Sequence, residues 1–149
     1  MSYQLIIKAA TIAHNAHKGQ FRKYGWKLPY IIHPIRVAGM TTIYYPKNAE
    51  MIAAAWLHDV LEDTQYSTLK EDFGEKIYEL VCELTNPSKG LTLPRHQRKT
   101  LDREHIKNIS REAKIIKLID RIDNLLDVVE GPKDFIELYS NVSRKPIGL

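Results

Sequence analysis

AAAWLHDVLEDT, residues 53–64, sets a histidine and an aspartate side by side at the end of an alanine-rich apolar run and adds two more acids one helical turn later. Ala49, Ile52, Ala53, Trp56, Leu57 and Val60 recur at the intervals of an amphipathic helix that begins near Asn48, after Pro46, and buries this face, Trp56 included. His58 and Glu62 stand four apart, as do Asp59 and Asp63, so both pairs project from adjoining faces at the helix's C-terminal end. Acids at a helix C-terminus oppose its dipole and need compensation, which a bound cation supplies.

The pattern is helical on both sides of this stretch, and the fold class is all-α. Leu5, Ile6, Ala9, Ile12, Ala13 and Ala16 give a helix over 3–18 that stops at Gly19; the loop GQFRKYGWKLPYIIH follows, punctuated by Gly25 and Pro29. Pro34 suits a first helical turn, which puts His33 at the N-cap of a helix over 34–44. Short helices are expected around 67–73 and 74–85, a break at NPSKG, and a basic helix from Pro94 to about Asn108. Ser110 is placed to cap a long helix over 111–129, with Ile115, Leu118, Ile119, Ile122, Leu125, Leu126 and Val129 as its apolar stripe and Gly131 and Pro132 ending it. No strand alternation, repeat or low-complexity tract stands out.

The chain has 149 residues, enough for one domain, read as 1–149, with a single core. Hydrophobic content of 44% and charged content of 27% are those of a soluble globular protein, and no apolar stretch reaches membrane-spanning length. The first residues lack the form of a secretory signal, and one cysteine, Cys82, excludes an internal disulfide framework, so a cytoplasmic setting is expected. A net charge of +4 favours an anionic ligand. Arg95, Arg98, Lys99 and Arg103 concentrate that charge, readable equally as a solvated face or a phosphate contact; without interleaved aromatics, nucleic acid is not an expected partner. Homo-oligomerisation stays open.

Four metal-binding candidates stand in order: His33 in PYIIHP, His58 and Asp59 in the opening stretch, and Asp120 in KIIKLIDRIDN. Two imidazoles and two carboxylates favour Mn or Fe, with water in the remaining positions as a potential nucleophile. Asp120 falls between Ile119 and Ile122, so it is expected at the core edge, where a carboxylate needs a cation or donors. A solvated face accounts for Asp123 and Asp127. His14 and His17 lack partners that would complete a metal site and read as packing residues, and His96 and His105 as surface ones. Trp26 and Tyr30 would either stack on a base or pack on the core.

The stretches AHKGQFRKYGWKLPYIIHPIRVA, AAAWLHDVLEDT, FGEKIYELVCELTN and IIKLIDRIDNL, in this order and spacing, closely resemble the hydrolase domain of RelA/SpoT-type alarmone enzymes, a branch of the HD-domain metal-dependent phosphohydrolases. With no room for a synthetase domain, the resemblance is to the small single-domain alarmone hydrolases. It implies a single helical HD domain holding Mn2+ through His33, His58, Asp59 and Asp120. The implied reaction removes the 3′-pyrophosphate of guanosine tetra- or pentaphosphate, a small-molecule nucleotide substrate. Glu62 and Asp63 would orient or deprotonate the attacking water, and Arg22, Lys23 and Asn124 would contact substrate.

The chain departs from that pattern at Ile119 and Asp123, where many members have alanine and histidine, and it ends at Leu149 without their longer C-terminal helical segment. Asp123 is thereby expected to add negative charge near a polyanion. Two other readings stay open: an HD phosphohydrolase of another nucleotide, such as the 2′-phosphate of NADPH or a deoxynucleotide, and a catalytically silent nucleotide-binding regulator. Glu62 and Asp63 argue against the silent one, because a pure binder needs no water-activating pair.

Overall fold

The computed structural model describes residues 2–23 and 27–129, which form eight helices. In chain order these are α1 (Ser2–Ala16), α2 (Ile32–Tyr44), α3 (Ala49–Leu57), α4 (Val60–Asp63), α5 (Leu69–Phe73), α6 (Glu75–Leu84), α7 (Arg95–Asn108) and α8 (Arg111–Val129). Among these residues the extended pairing is one bridge, Phe21 to Pro29, which closes the loop after α1. No described helix is long and apolar enough to cross a membrane. The expectations on Gly25, Trp26, Gly131 and Pro132 fall outside the described residues.

Helix α3 is the axis of the fold. Met51 through Ala55 are all buried, because α1, α2, α6 and α8 pack around it. Ala53, Ala54 and Ala55 face neighbours with little side-chain bulk, and on α1 the contact side is again alanine, Ala9 and Ala13. Asn48 starts α3 by accepting the Met51 N–H at 3.0 Å. Trp56, expected in the core, is half-buried against its rim, and Cys82 on α6 is half-buried too.

Three local features differ from the sequence-based expectations and matter for the site. α2 begins at Ile32, so His33 is its second residue rather than its cap, with its N–H bonded to the Tyr30 carbonyl at 3.0 Å. α3 ends at Leu57, and His58 and Asp59 form a junction before the single turn of α4. The helix-dipole argument for Glu62 and Asp63 therefore falls away, since a four-residue turn has little macrodipole.

The third difference is the face of α8. Ala113, Ile116, Ile119, Asp123 and Val128 are buried, whereas Leu118, Ile122, Leu126 and Val129 of the expected stripe are exposed among the described residues. Docking onto α2 and α6 decides this. Ser110 caps α8 through the Ala113 N–H at 3.2 Å and is itself held by the Glu83 carboxylate of α6, and Lys117 donates to the Leu84 carbonyl at 2.5 Å. α7 buries no residue, so its basic face is solvated, although His105 is half-buried and meets the Glu83 carbonyl at 2.8 Å. Between α5 and α6 the chain reverses at Gly74, whose φ of 78° is one that side chains disfavour.

Candidate metal centre

The N-terminus of α2, the C-terminal end of α3 and the middle of α8 meet at one place, and each delivers a candidate ligand there. His58 follows the last residue of α3, where carbonyls lack intrahelical partners, and its Nδ1 turns back to the Ala55 carbonyl at 2.8 Å. A carbonyl only accepts, so Nδ1 carries the hydrogen and Nε2 faces inward. His33 is arranged the same way: Nδ1 donates to Asp123 Oδ2 at 2.5 Å, and Nε2 points inward. The two Nε2 atoms are 3.1 Å apart. Asp59 Oδ2 lies 2.9 Å from His58 Nε2 and 3.5 Å from His33 Nε2, and Asp120 Oδ1 lies 3.1 Å from His33 Nε2 and 3.9 Å from His58 Nε2.

Two imidazole lone pairs converging at that distance between two carboxylates require a positive charge among them, either a proton or a cation. The protonation behaviour shows the same demand. Burial alone would push the His58 ring down, but the charge and hydrogen bond of Asp59, with Asp120 and the Ala55 carbonyl, raise it to about 9. His33 is also raised: its burial is outweighed by hydrogen bonds to Asp120 and Asp123. Burial would raise Asp59, yet the neighbouring His58 holds it well below the usual carboxylate range, and Asp120 is lowered chiefly by His33. A divalent ion fits this donor set. Donors about 2.1 Å from an ion and at right angles to each other stand about 3 Å apart, and ligating histidines characteristically donate their second N–H to a carboxylate or carbonyl. Ligand atoms of His33, His58 and Asp120 lie within 4.8 Å of one another, and Asp59 Oδ2 stands beside them, 2.9 Å from His58 Nε2.

Around this centre lies a layer of paired polar groups. The Tyr30 hydroxyl donates to Asp59 Oδ2 at 2.5 Å and approaches Asp63 Oδ2 at 3.4 Å; burial and the Asp59 charge raise its pKa, so it stays a donor. The buried His17 ring stacks on Tyr30 with centroids 4.7 Å apart and meets Gln20 through Nδ1 at 2.7 Å, a packing role as expected, while His14 and His96 are exposed. Glu62 accepts from the Asn86 backbone N–H at 3.0 Å and from its side-chain amide at 3.2 Å. Asp63 Oδ1 pairs with Lys89 at 2.5 Å. Arg22 donates through Nε to Asp127 at 2.6 Å and through Nη2 to Asn124 at 2.8 Å, and Asn124 donates to Asp120 at 2.5 Å.

The HD-domain family model matches residues 9–141 of the chain. The chain belongs to the HD-domain family. It is 38% identical over 133 residues to guanosine-3′,5′-bis(diphosphate) 3′-pyrophosphohydrolase MESH1 of Xenopus tropicalis, covering 83% of this chain and 69% of that protein. The Homo sapiens protein of the same name is 39% identical over 127 residues, with the same coverage. A solved structure of a metazoan ortholog of SpoT, described as hydrolysing ppGpp, superposes with a TM-score of 0.80 at 30% identity, covering 91% of this chain and 79% of that one. Within the HD family the chain thus stands with the small alarmone hydrolases.

Among the residues that the resemblance pointed to, His33, His58, Asp59 and Asp120 converge, and Asn124 and Arg22 join them through hydrogen bonds. Lys23 is exposed and has no partner among the described residues, whereas Arg22 is largely enclosed and already paired with Asp127. Two expectations about acids are overturned. Asp123 is 1% exposed, not solvated, because α8 turns it under His33; Asp127 is likewise engaged, with Arg22 and Arg36. Nor does Asp123 present free negative charge to a polyanion, since Arg36 and His33 hold it. Tyr30 and Arg36 were the residues missed as parts of the site. Arg36 sits one helical turn after His33 on α2, and that spacing is the signal it offered, whereas Tyr30 lies in the turn before α2 and reaches Asp59 through the path of the loop.

Proposed function

We propose that this HD-family chain hydrolyses the 3′-pyrophosphate bond of guanosine tetra- or pentaphosphate, releasing pyrophosphate and GDP or GTP. The observation that carries the reading is the pair of inward-facing imidazole Nε2 atoms 3.1 Å apart, each ring fixed from behind by an acceptor, in a chain so similar to proteins named for this reaction. His33, His58, Asp59 and Asp120 would hold a divalent cation, for which the mixed nitrogen and oxygen set favours Mn2+. Such an ion supplies Lewis acidity, polarising a phosphoryl oxygen and making an attacking water more acidic.

The remaining work belongs to the chain's own side chains. Asp63, held through one oxygen by Lys89, keeps Oδ2 towards the Tyr30 hydroxyl and the centre, where with Glu62 it orients the water and takes its proton. Asn124 steadies Asp120 and Arg22 together. Lys23, exposed and unpaired among the described residues, offers its charge to the phosphate chain, and Arg22 anchors the loop that presents it. A reducing cytoplasm suits this reading.

The test is a panel in which the purified chain, stripped of metal and reloaded with Mn2+, meets guanosine tetraphosphate, its adenosine analogue, NADPH and deoxynucleotides. Pyrophosphate and GDP from the first substrate are expected, with cation binding lost in Asp59→Ala. Robust NADPH or deoxynucleotide hydrolysis with no pyrophosphate from guanosine tetraphosphate would overturn the substrate and leave the metal centre standing.

A further inference from the structure

Asp123 is a buried acid that no step of the proposed reaction uses. Its Oδ2 accepts from His33 Nδ1 at 2.5 Å, while its Oδ1 stands 2.5 Å from Arg36 Nε, and Arg36 Nη2 reaches Asp123 Oδ2 at 3.0 Å and Asp127 Oδ1 at 2.7 Å. The spacing on the two helices makes this possible. His33 and Arg36 are one turn apart on α2, and Asp120, Asp123 and Asp127 follow at one-turn intervals on α8, so the two stripes mesh. His33 is thereby gripped at both nitrogens by carboxylates one turn apart: Asp120 at Nε2 and Asp123 at Nδ1.

We propose that Asp123 and Arg36 act as a positioning pair for the metal centre, Asp123 fixing the orientation and tautomer of His33 that offers Nε2 to a cation, and Arg36 supplying the counter-charge that Asp123 needs in a buried place. The chemistry requires both members. An imidazole can carry its one hydrogen on either nitrogen, and a carboxylate, which only accepts, selects Nδ1–H; an amide presents a donor as well and does not select. A carboxylate enclosed to 1% exposure in turn needs a matched charge, and Arg36 supplies it from the rim, with 34% of its side chain exposed. Arg36 also shares Asp127 with Arg22, so the same pair ties α2 to the support of the substrate loop.

This inference rests on His33 holding the cation, and the experiment separates the two claims. Mn2+ affinity and thermal midpoint are measured at fixed pH for the full chain, for Asp123→Asn, and for the double variant Asp123→Asn with Arg36→Met. Asp123→Asn should weaken Mn2+ binding by about 10- to 100-fold, the scale of lost outer-layer support at metal sites. The double variant removes both charges together, so it keeps the test open if the single variant folds poorly. It should recover thermal midpoint relative to the single variant but bind Mn2+ no better. Wild-type affinity in either variant would overturn the positioning role and reduce the pair to a clamp between α2 and α8. Absence of divalent-ion binding by the wild-type chain would instead remove the metal centre, and this inference with it.

Discussion

Protons and a divalent cation compete for the same imidazole nitrogens, which makes metal affinity strongly pH-dependent. In chelated protein the His58 ring is raised to about 9 by Asp59 and Asp120, so it holds a proton through the neutral range. The ring is mostly protonated at pH 7, so the fraction able to accept a cation rises by more than about tenfold towards pH 9, on the order of 2 kcal/mol of apparent binding energy. Because the pKa is raised, affinity must climb with pH. His33, raised as well, adds to the slope in the same direction. The linked stability has the opposite sign: in the chelated protein the contribution of His58 is complete below its ordinary value of 6.5 and is lost as pH rises through about 9. Calorimetric Mn2+ titration under anaerobic conditions, in two buffers of different ionisation enthalpy, measures both affinity and protons released. At least one proton released per ion at pH 7, falling towards zero above pH 9, is expected. Affinity that stays flat between pH 7 and 9 with no proton release would refute the arrangement of converging Nε2 atoms.

Glu62→Gln and Asp63→Asn should each lower turnover by about 10²-fold or more while leaving Mn2+ content intact, and parallel loss of metal on elemental analysis would make them ligands instead. Lys23→Glu should raise KM for guanosine tetraphosphate steeply at unchanged metal occupancy and matter much less for a small monophosphate ester; an equal effect on both would remove Lys23 from the phosphate chain. Ser110→Ala removes the α8 cap and a partner of Glu83, and should cost about 1 kcal/mol of stability in denaturant titrations with kcat unchanged at 25 °C; an unshifted midpoint would show the cap to be idle.

Helix starts were legible where a single side chain makes the start. Asn48, Pro94 and Ser110 each precede a helix at the expected position, because a cap is a local hydrogen bond or a fixed φ. The candidate ligands were legible by residue type. What stayed hidden depends on how helices dock. α8 carries apolar residues around much of its circumference, so periodicity alone could not choose between the Leu118, Ile122 and Leu126 face and the Ile116, Ile119 and Asp123 face. Choosing the second turned Asp123 from a solvated acid into the support of His33. The junction at His58 and Asp59 was equally invisible, since it arises where the His58 side chain takes the Ala55 carbonyl and Asp59 turns to the Tyr30 hydroxyl. Tyr30 reaches that position only because the loop closes through Arg22 N–H to Leu28 and Tyr30 N–H to Gln20, irregular pairings across the loop with no repeat to read.

The products of one reaction bear most directly on the proposed activity. Guanosine tetraphosphate incubated with Mn2+-loaded protein and followed by 31P NMR should yield intact pyrophosphate and GDP in equal amounts, with no product after chelation or in Asp59→Ala. Orthophosphate as the first product, or undiminished turnover in the chelated protein, would contradict it.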